Sequence, residues 1–465
     1  MTDRLGDLTE ALLKAAKAAG ATEADAMAVD GTAISVDVRQ GVLEQAERSE
    51  GVEIGLRVMV GKRQAAVSAS DLSARTIADM AERAVAMARE APLDESLGLA
   101  DPSDLAAVRD GGGLELDDPA ADPTAADLER DARAAEAAAL SVAGVSQMDA
   151  ASASFARRRI HMAGTNGFQG GYGRSSRSIS AVAITGEGLG MERDWAAESR
   201  AWGADLPSAE DIGRLAGERT VARAGARKPV TGTFPVLFDE RIAGSLIGHL
   251  LSATNGSAIV RGASWLRDGM GKPVLPAGLS LSEDPHRPRL SGSRPFDGEG
   301  LATRARDIVK DGVLMGWTLD LGTARRLGLQ STANASRGTS APPSPAIGNV
   351  MLTQGTASRA GQEGHDAVDV LHAAQGGGGN AAIGPAERGA GARRDDQVVV
   401  RDRVDGARVE IAHRDGLRAR VDADDLVPHP HVETEARRER LGGLQQKRRP
   451  VGDHAVTPAV HLVAE

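Results

Sequence analysis

Between residues 33 and 69 the chain alternates apolar and polar residues in two successive runs, and that pattern leaves few folds open. In TAISVDVRQG, Ile34, Val36 and Val38 take every second position, the period of a half-buried strand. GVEIGLRVMVGKRQAAVSAS repeats the period with Val52, Ile54, Leu56, Val58 and Val60, and Gly61-Lys62-Arg63 turns the chain into a partner strand. An amphipathic helix follows in SDLSARTIADMAERAVAMAREAP, with Ser70 or Asp71 as its cap and its end before Pro92. Another precedes the strands over 6–19, with Leu8, Leu12, Ala15, Ala16 and Ala19 on one face and Gly20 as its stop. Helix, hairpin and helix over 1–92 predict the α+β class, with mixed or antiparallel sheets and helices packed on them.

The 465 residues are enough for two or three domains. Residues 93–123, rich in Asp, Pro and Gly, read as a linker or long surface loop. A middle α+β domain is expected over 124–228. It has a helix over about 124–141, then strands on which Ile179, Ala181, Ala183 and Thr185 share a face. Asn166-Gly167 forms a positive-φ turn, and a helix opened by Ser208 and Asp211 runs to about 224. A β-rich C-terminal domain over 229–355 begins with the strand PVLF and the helix DERIAGSLIGHLLSATNG, capped by Asp239 and apolar at Leu246, Ile247 and Leu250. A loop over 271–290 leads on to a hairpin, TRARDIV and VLMGWTLD, turning at Lys310-Asp311-Gly312.

Composition removes several function classes. A net charge of -10 argues against a partner held through nucleic-acid phosphates. The absence of cysteine excludes disulfides and thiolate metal ligands and fits a reducing cytoplasm. The first twenty residues carry Asp3, Asp7 and Glu10 without a long apolar run, unlike a signal peptide. No stretch of 18 apolar residues is present, so no membrane span is expected.

SRPFDGEGLATR, residues 293–304, alternates two acids with two glycines. Asp297, Gly298, Glu299 and Gly300 read as a shaped turn at the mouth of a strand, approached through Pro295, because glycine admits backbone angles other residues resist. A metal role would need histidines or further carboxylates beside it. Elsewhere, Ser175, Ser176 and Ser178 form a polar strand edge without a positioned His-Asp pair. The glycine run 376–379 lacks the lysine and helix of a phosphate loop and reads as a flexible segment. Arg157-Arg158-Arg159 read as a solvated strand start.

SEGVEIGLRVMVGKRQAAVSASDLS, AGTNGF at 163–168, FPVLFDERIAGSLIGHLLSA, SRPFDGEGLATR, IVKDGVLMGWTLDLGTARRLGLQSTANASRG and NVMLTQG, in this order over about 5–355, resemble the TldD/PmbA family (peptidase U62) and within it the PmbA (TldE) branch. The resemblance implies a cytoplasmic peptidase of two related subunits acting on peptides in extended form, including leader and antitoxin processing. The TldD-type subunit would carry zinc on a helix with His-Glu-x-x-x-His; the PmbA-type subunit would lack that site and complete the assembly. Where the pattern has its first histidine and glutamate this chain has Gly244 and Ser245, and only His249 is left. One imidazole cannot hold a catalytic zinc, and nothing beside it can deprotonate bound water. No catalytic, cofactor-binding or metal residue is therefore expected in this chain. His249 is expected to be packed or hydrogen-bonded, and zinc is expected in a TldD-type partner. The alternatives are a stand-alone peptide-binding or regulatory protein and a defective homologue. Strand addition is the physically reasonable mode of peptide capture, with an edge in the 230–320 region.

Residues 356–465 depart from all this. The last aromatic residue is Trp317, and from Thr356 onward there are 15 arginines against one lysine, Lys447. PmbA relatives continue with a glycine-rich, aromatic segment that has no counterpart here. The bias is what GC-rich DNA yields in a shifted reading frame, which places a frameshift near 355–361; the alternative is a genuine extension with VVVRDRVDGARVEIAHRDGLRARV as a hairpin.

Overall fold

The computed structural model describes residues 2–227, 231–232 and 238–354, together with the backbone of 399–402, 408–412 and 418–422. Two compact units are present. The first holds, of the described residues, 2–226 and 244–353.

The first unit opens with α1 (Thr2–Ala19), β1 (Glu23–Arg39), β2 (Val42–Met59), β3 (Gln64–Ala69) and α2 (Ala74–Glu90). It continues with α3 (Ala125–Leu140), β4 (Val145–Gly164), β5 (Gln169–Thr185), β6 (Glu192–Arg200) and α4 (Ala209–Ala222). All six strands join one antiparallel sheet in the order β3-β2-β1-β4-β5-β6. Strands from the stretches 1–92 and 124–228 thus share a single sheet.

Even-numbered residues of β1 supply one face of that sheet along its whole length. Ala24, Ala26 and Ala28 pack with Ile54, Leu56 and Val58 under α1 and α2, through Leu12, Ala16, Ile77, Met80 and Val85. Ile34, Val36 and Val38 pack with Phe155, Ile179 and Ala181 under α3 and α4, through Leu128, Ala135, Ile212 and Ala216. A Cβ on Gly213 would lie 2.0 Å from the Ala135 carbonyl oxygen. Small residues let α3 and α4 approach closely, so packing density replaces the area that aromatics usually bury. The caps are local: Thr124 and Asp127 close a capping box on α3, and Ser208 accepts from the Asp211 N–H on α4. On α2 the cap is Ser73, which accepts from Thr76, rather than Ser70 or Asp71; the Asp71 carboxylate instead ties down the Ser73 N–H. At the β4–β5 turn the positive φ belongs to Gly167 and not to Asn166.

Residues 93–123 are packed rather than freely solvated: Leu97, Ala100, Ala106, Leu114 and Leu116 are buried. The Ala106 N–H donates to Gly300, and the Leu116 carbonyl accepts from Ser175.

The remaining elements are α5 (Glu240–Ala253), α6 (Gly256–Val260), β7 (Leu281–Glu283), β8 (Arg306–Lys310), β9 (Val313–Leu314), α7 (Leu321–Leu327), β10 (Ala335–Ser336), β11 (Ser344–Pro345) and β12 (Val350–Leu352). They form a four-stranded sheet, β12-β7-β8-β9, and the pair β10-β11. Leu281, Ile308, Val309, Leu314 and Val350 meet Ile247, Leu250 and Leu251 of α5 in its core. The predicted hairpin turns at Asp311 and Gly312, with φ of 46° and 79°, but its second strand is two residues long. Met315 to Leu319 instead run irregularly to Asp320, the cap of α7. On the other face of the six-stranded sheet Phe296 packs edge-on to Phe168, ring centroids 5.0 Å apart, and to Tyr172 at 5.4 Å. These rings, with Met27 and Met162, seat the 293–304 stretch against β1, β4 and β5.

In the second unit the Asp239 carboxylate accepts from the Arg241 N–H at the start of α5. Strands β13 (Val399–Asp402), β14 (Arg408–Ala412) and β15 (Arg418–Asp422) form a three-stranded antiparallel sheet, one strand more than a hairpin. The PVLF stretch, the glycine run 376–379 and the junction at 355–361 lie largely or wholly outside the described residues. Among the described residues no helix is long and apolar enough to cross a membrane.

Candidate functional site

Two places could carry chemistry. The first is α5. Ile247, Leu250 and Leu251 are buried, with the i, i+3, i+4 spacing of a core-facing stripe. Ser245, Leu246 and His249 lie on the opposite, exposed side, and Gly244 is half-buried. Two expectations are corrected here. Leu246, 39% exposed, is off the apolar face because residue 247 centres the stripe. His249 is exposed rather than packed. The donors that α5 offers at the 244, 245 and 249 positions are therefore one imidazole and one hydroxyl. Zinc in a catalytic site takes three protein ligands, usually His, Glu, Asp or Cys. The chain has no cysteine, and among the described residues no three His, Asp or Glu side chains gather closely enough to hold a metal. The residues of α5 do not fit a zinc ion.

The second place is a buried charge cluster built around the 293–304 turn. Asp297 is 2% exposed. Its Oδ1 accepts the N–H groups of Glu299 at 2.9 Å and Leu301 at 3.0 Å, and its Oδ2 accepts that of Ala335 at 3.0 Å. Glu299 reaches the N-terminus of α7, where Oε2 accepts the Leu321 N–H at 2.8 Å, a favourable place for a carboxylate. Beside it Asp320 accepts from Thr323 at 2.8 Å. Gly300 needs its φ of +82°, and a Cβ there would sit 2.7 Å from the Phe168 ring. Gly298 has no positive φ; its constraint is close approach, since a Cβ would lie 3.1 Å from the Ala335 carbonyl oxygen.

Across from these acids, Arg57 of β2 donates Nε–H to Asp25 of β1 at 2.8 Å, and Arg337 pairs with the other Asp25 oxygen. Burial alone would raise the Asp25 carboxyl, but the Arg337 and Arg57 guanidiniums hold it below the usual carboxylate range. Burial alone would lower Arg57, but Asp25 first, and then Glu299 and Asp320, hold it above the usual guanidinium range. Asp297 is pushed up to about 6 by burial, against its three N–H donors. Glu299 is pushed up to about 8, by burial first and the Asp297 charge second. A cavity of about 170 Å³ is lined by Arg57, Gln64, Glu299, Asp320, Thr323 and Arg326, among others. The cluster holds no nucleophile paired with a base. Its carboxylates are occupied with backbone N–H groups, so its geometry is that of a clasp between the sheet and the turn.

Asp25, Arg57 and Arg337 escape a reading of the sequence because 32 and 312 residues separate Asp25 from its partners. The available signal is a charge inside each apolar run: Asp25 within Ala24–Ala28, and Arg57 between Leu56 and Val58. His161 shares a 2.9 Å hydrogen bond with the Thr9 hydroxyl, 152 residues away in the sequence, and its burial lowers the imidazole pKa.

Taken together, these observations define an α+β protein built on a six-stranded antiparallel sheet and a smaller four-stranded one, whose helix α5 offers no set of metal ligands. Three domain profiles of one family match in order: PmbA/TldA metallopeptidase domain 1 over 24–88, the central domain over 118–224 and the C-terminal domain over 231–378. "Metalloprotease PmbA" of Escherichia coli O157:H7 is 34% identical over 304 residues, 65% of this chain and 67% of that one. A "Metalloprotease PmbA homolog" of Haemophilus influenzae is 33% identical over 328 residues, 69% and 70% of the two chains. The chain belongs to the PmbA/TldD metallopeptidase family. Solved structures share the fold. A protein of Bacteroides thetaiotaomicron described as a candidate modulator of DNA gyrase superposes with a TM-score of 0.69 at 23% identity, covering 78% of this chain and 80% of its own. TldE from Thermococcus kodakarensis does so at 0.66 and 19%, covering 77% and 80%.

Proposed function

We propose that this chain is a PmbA/TldE-type, non-catalytic subunit of a cytoplasmic zinc metallopeptidase, working with a TldD-type partner on peptides in extended form. The observation that carries the reading is α5: the helix is present, and it offers the half-buried Gly244 and the exposed Ser245 and His249 in place of a ligand set. Zinc and the water-activating glutamate would come from the partner, whose His-Glu-x-x-x-His helix supplies what α5 lacks. The sheets and the charge clasp give this subunit a rigid frame against which a partner can assemble.

The test is reconstitution. The chain is mixed with a TldD-type protein carrying His-Glu-x-x-x-His, and hydrolysis of an unfolded peptide is followed for each protein alone and for the pair. Complex formation with raised hydrolysis by the pair, and none by this chain alone, is the expected result. Hydrolysis by this chain alone, or no association between the two, would overturn the proposal.

A further inference from the structure

The charge clasp leaves polar groups unused on one side. Arg57 stands between Leu56 and Val58, so strand alternation carries it to the face opposite the helix-covered core. There its Nε and Nη2 both serve Asp25. Nη1 has no partner among the described residues, although the side chain is only 5% exposed. Half of each neighbouring carboxylate is also unused. Glu299 gives Oε2 to the Leu321 N–H, and Asp320 gives Oδ1 to Thr323. Glu299 Oε1 and Asp320 Oδ2 have no partner among the described residues. The Gln64 amide oxygen, at the start of β3, is buried and likewise unpartnered. All four residues line the cavity of about 170 Å³. Arg57 is near enough to feel the charges of Glu299 and Asp320, yet it forms an ion pair with neither.

We infer that this cavity binds a small zwitterion, an α-amino acid with a short aliphatic side chain. The placement of charge selects that class over its parts. A cation alone would satisfy the two carboxylates but add a like charge beside Arg57 and leave Nη1 unused. An anion alone would satisfy Nη1 but face both carboxylates. A molecule with one charge of each sign completes both sides, through charge-assisted hydrogen bonds that a dry site strengthens. Its ammonium answers Glu299 Oε1 and Asp320 Oδ2, with the Gln64 amide beside them, and its carboxylate answers Arg57 Nη1. A metal ion is a poorer occupant, because among the described residues no three His, Asp or Glu side chains gather to hold one.

Size narrows the class. A cavity of about 150 Å³ takes one benzene, so this one takes an amino acid of a few carbons and not a peptide. Leu97, Pro342 and Pro343 supply an apolar wall for its side chain. Gly322, in the first turn of α7, also lines the space. It has no positive φ, and a Cβ there would meet nothing closer than the Asp320 carboxylate at 3.8 Å and the Ser96 hydroxyl at 3.9 Å. Glycine weakens a helix relative to nearly every other residue; what its missing side chain gives here is room. None of these residues lies on α5, and the inference does not rest on the peptidase reading.

Calorimetric titration of the whole chain tests it, at pH 8.5, above the value of about 8 to which burial pushes Glu299. The probes are L-alanine, propionate, which lacks the ammonium, and ethylammonium, which lacks the carboxylate. L-alanine should bind saturably at one site per chain, and each half-probe about tenfold more weakly or worse. Glu299→Gln keeps an oxygen for Leu321 and should weaken L-alanine binding about tenfold or more. Gly322→Leu fills the cavity from a position with open space around its Cβ. It should abolish binding while leaving the chain's melting temperature at or above that of the parent. No saturable binding of any probe, the result if water alone occupies the cavity, would overturn the inference. So would an affinity for ethylammonium or propionate equal to that for L-alanine, or L-alanine binding that survives either substitution.

Discussion

Replacing Glu299 with glutamine tests the charge clasp through its pH dependence. The folded Glu299 carboxyl sits at about 8 against an ordinary 4.5, and Asp297 at about 6 against 3.8, both raised chiefly by burial. Between the ordinary and the raised values the folded chain keeps protons that the unfolded chain releases. Stability contributed by these groups is therefore fully present below about pH 4 and is lost as pH rises toward 8. At about 1.4 kcal/mol per unit, the Glu299 rise alone sets an upper bound of roughly 5 kcal/mol. Each charge raises the other, and a proton on one relieves its neighbour, so we expect about 2 kcal/mol of net loss between pH 5.5 and 8.5. Glu299→Gln keeps an oxygen for the Leu321 N–H and removes the charge. Urea denaturation of both proteins across this range isolates the Glu299 titration together with its coupling to Asp297, because groups that do not interact with Glu299 cancel in the difference. The two should be of similar stability at pH 5.5, with the variant about 2 kcal/mol more stable at pH 8.5. Parallel curves, or a variant that is weaker at pH 8.5, would refute the reasoning.

Three further outcomes follow from the geometry. Asp25→Ala leaves the Arg57 and Arg337 guanidiniums buried without their shared partner, which should cost about 3–5 kcal/mol in denaturant titrations. Gly300→Ala forces a non-glycine residue to φ +82° and drives its Cβ into the Phe168 ring; a loss of about 2–3 kcal/mol is expected, readable as a fall in urea midpoint. His249→Ala, at an exposed helix position, should leave stability within about 0.5 kcal/mol of the parent.

The sequence was legible where one face of an element is apolar and the other wet. Ile34, Val36 and Val38, the 54–58 run and the Ile179–Thr185 face all announce their strands by alternation. The far half of β2 was not legible, because residues 42–51 are exposed on both faces and so carry no apolar period. The first half of β1 is written in alanines, with Asp25 interrupting them, and buried alanine gives a weak signal. On α5 the apolar run Leu246-Ile247 left the stripe's centre ambiguous by one residue, and only contact with Leu281 and Ile308 decides it. The acids of the 293–304 turn were visible as residues, but their partners were not. Asp25 and Arg337 stand 312 residues apart in the sequence, and no local pattern links them.

The claim on which this account turns is that α5 has kept its place in the fold and lost its ligands. Zinc content of the purified chain, measured by elemental analysis after equilibration with zinc and removal of loosely held ions, tests it most directly. The account predicts far less than one zinc per chain and the same low value for His249→Ala. One firmly held zinc per chain that disappears on replacing His249 would contradict it.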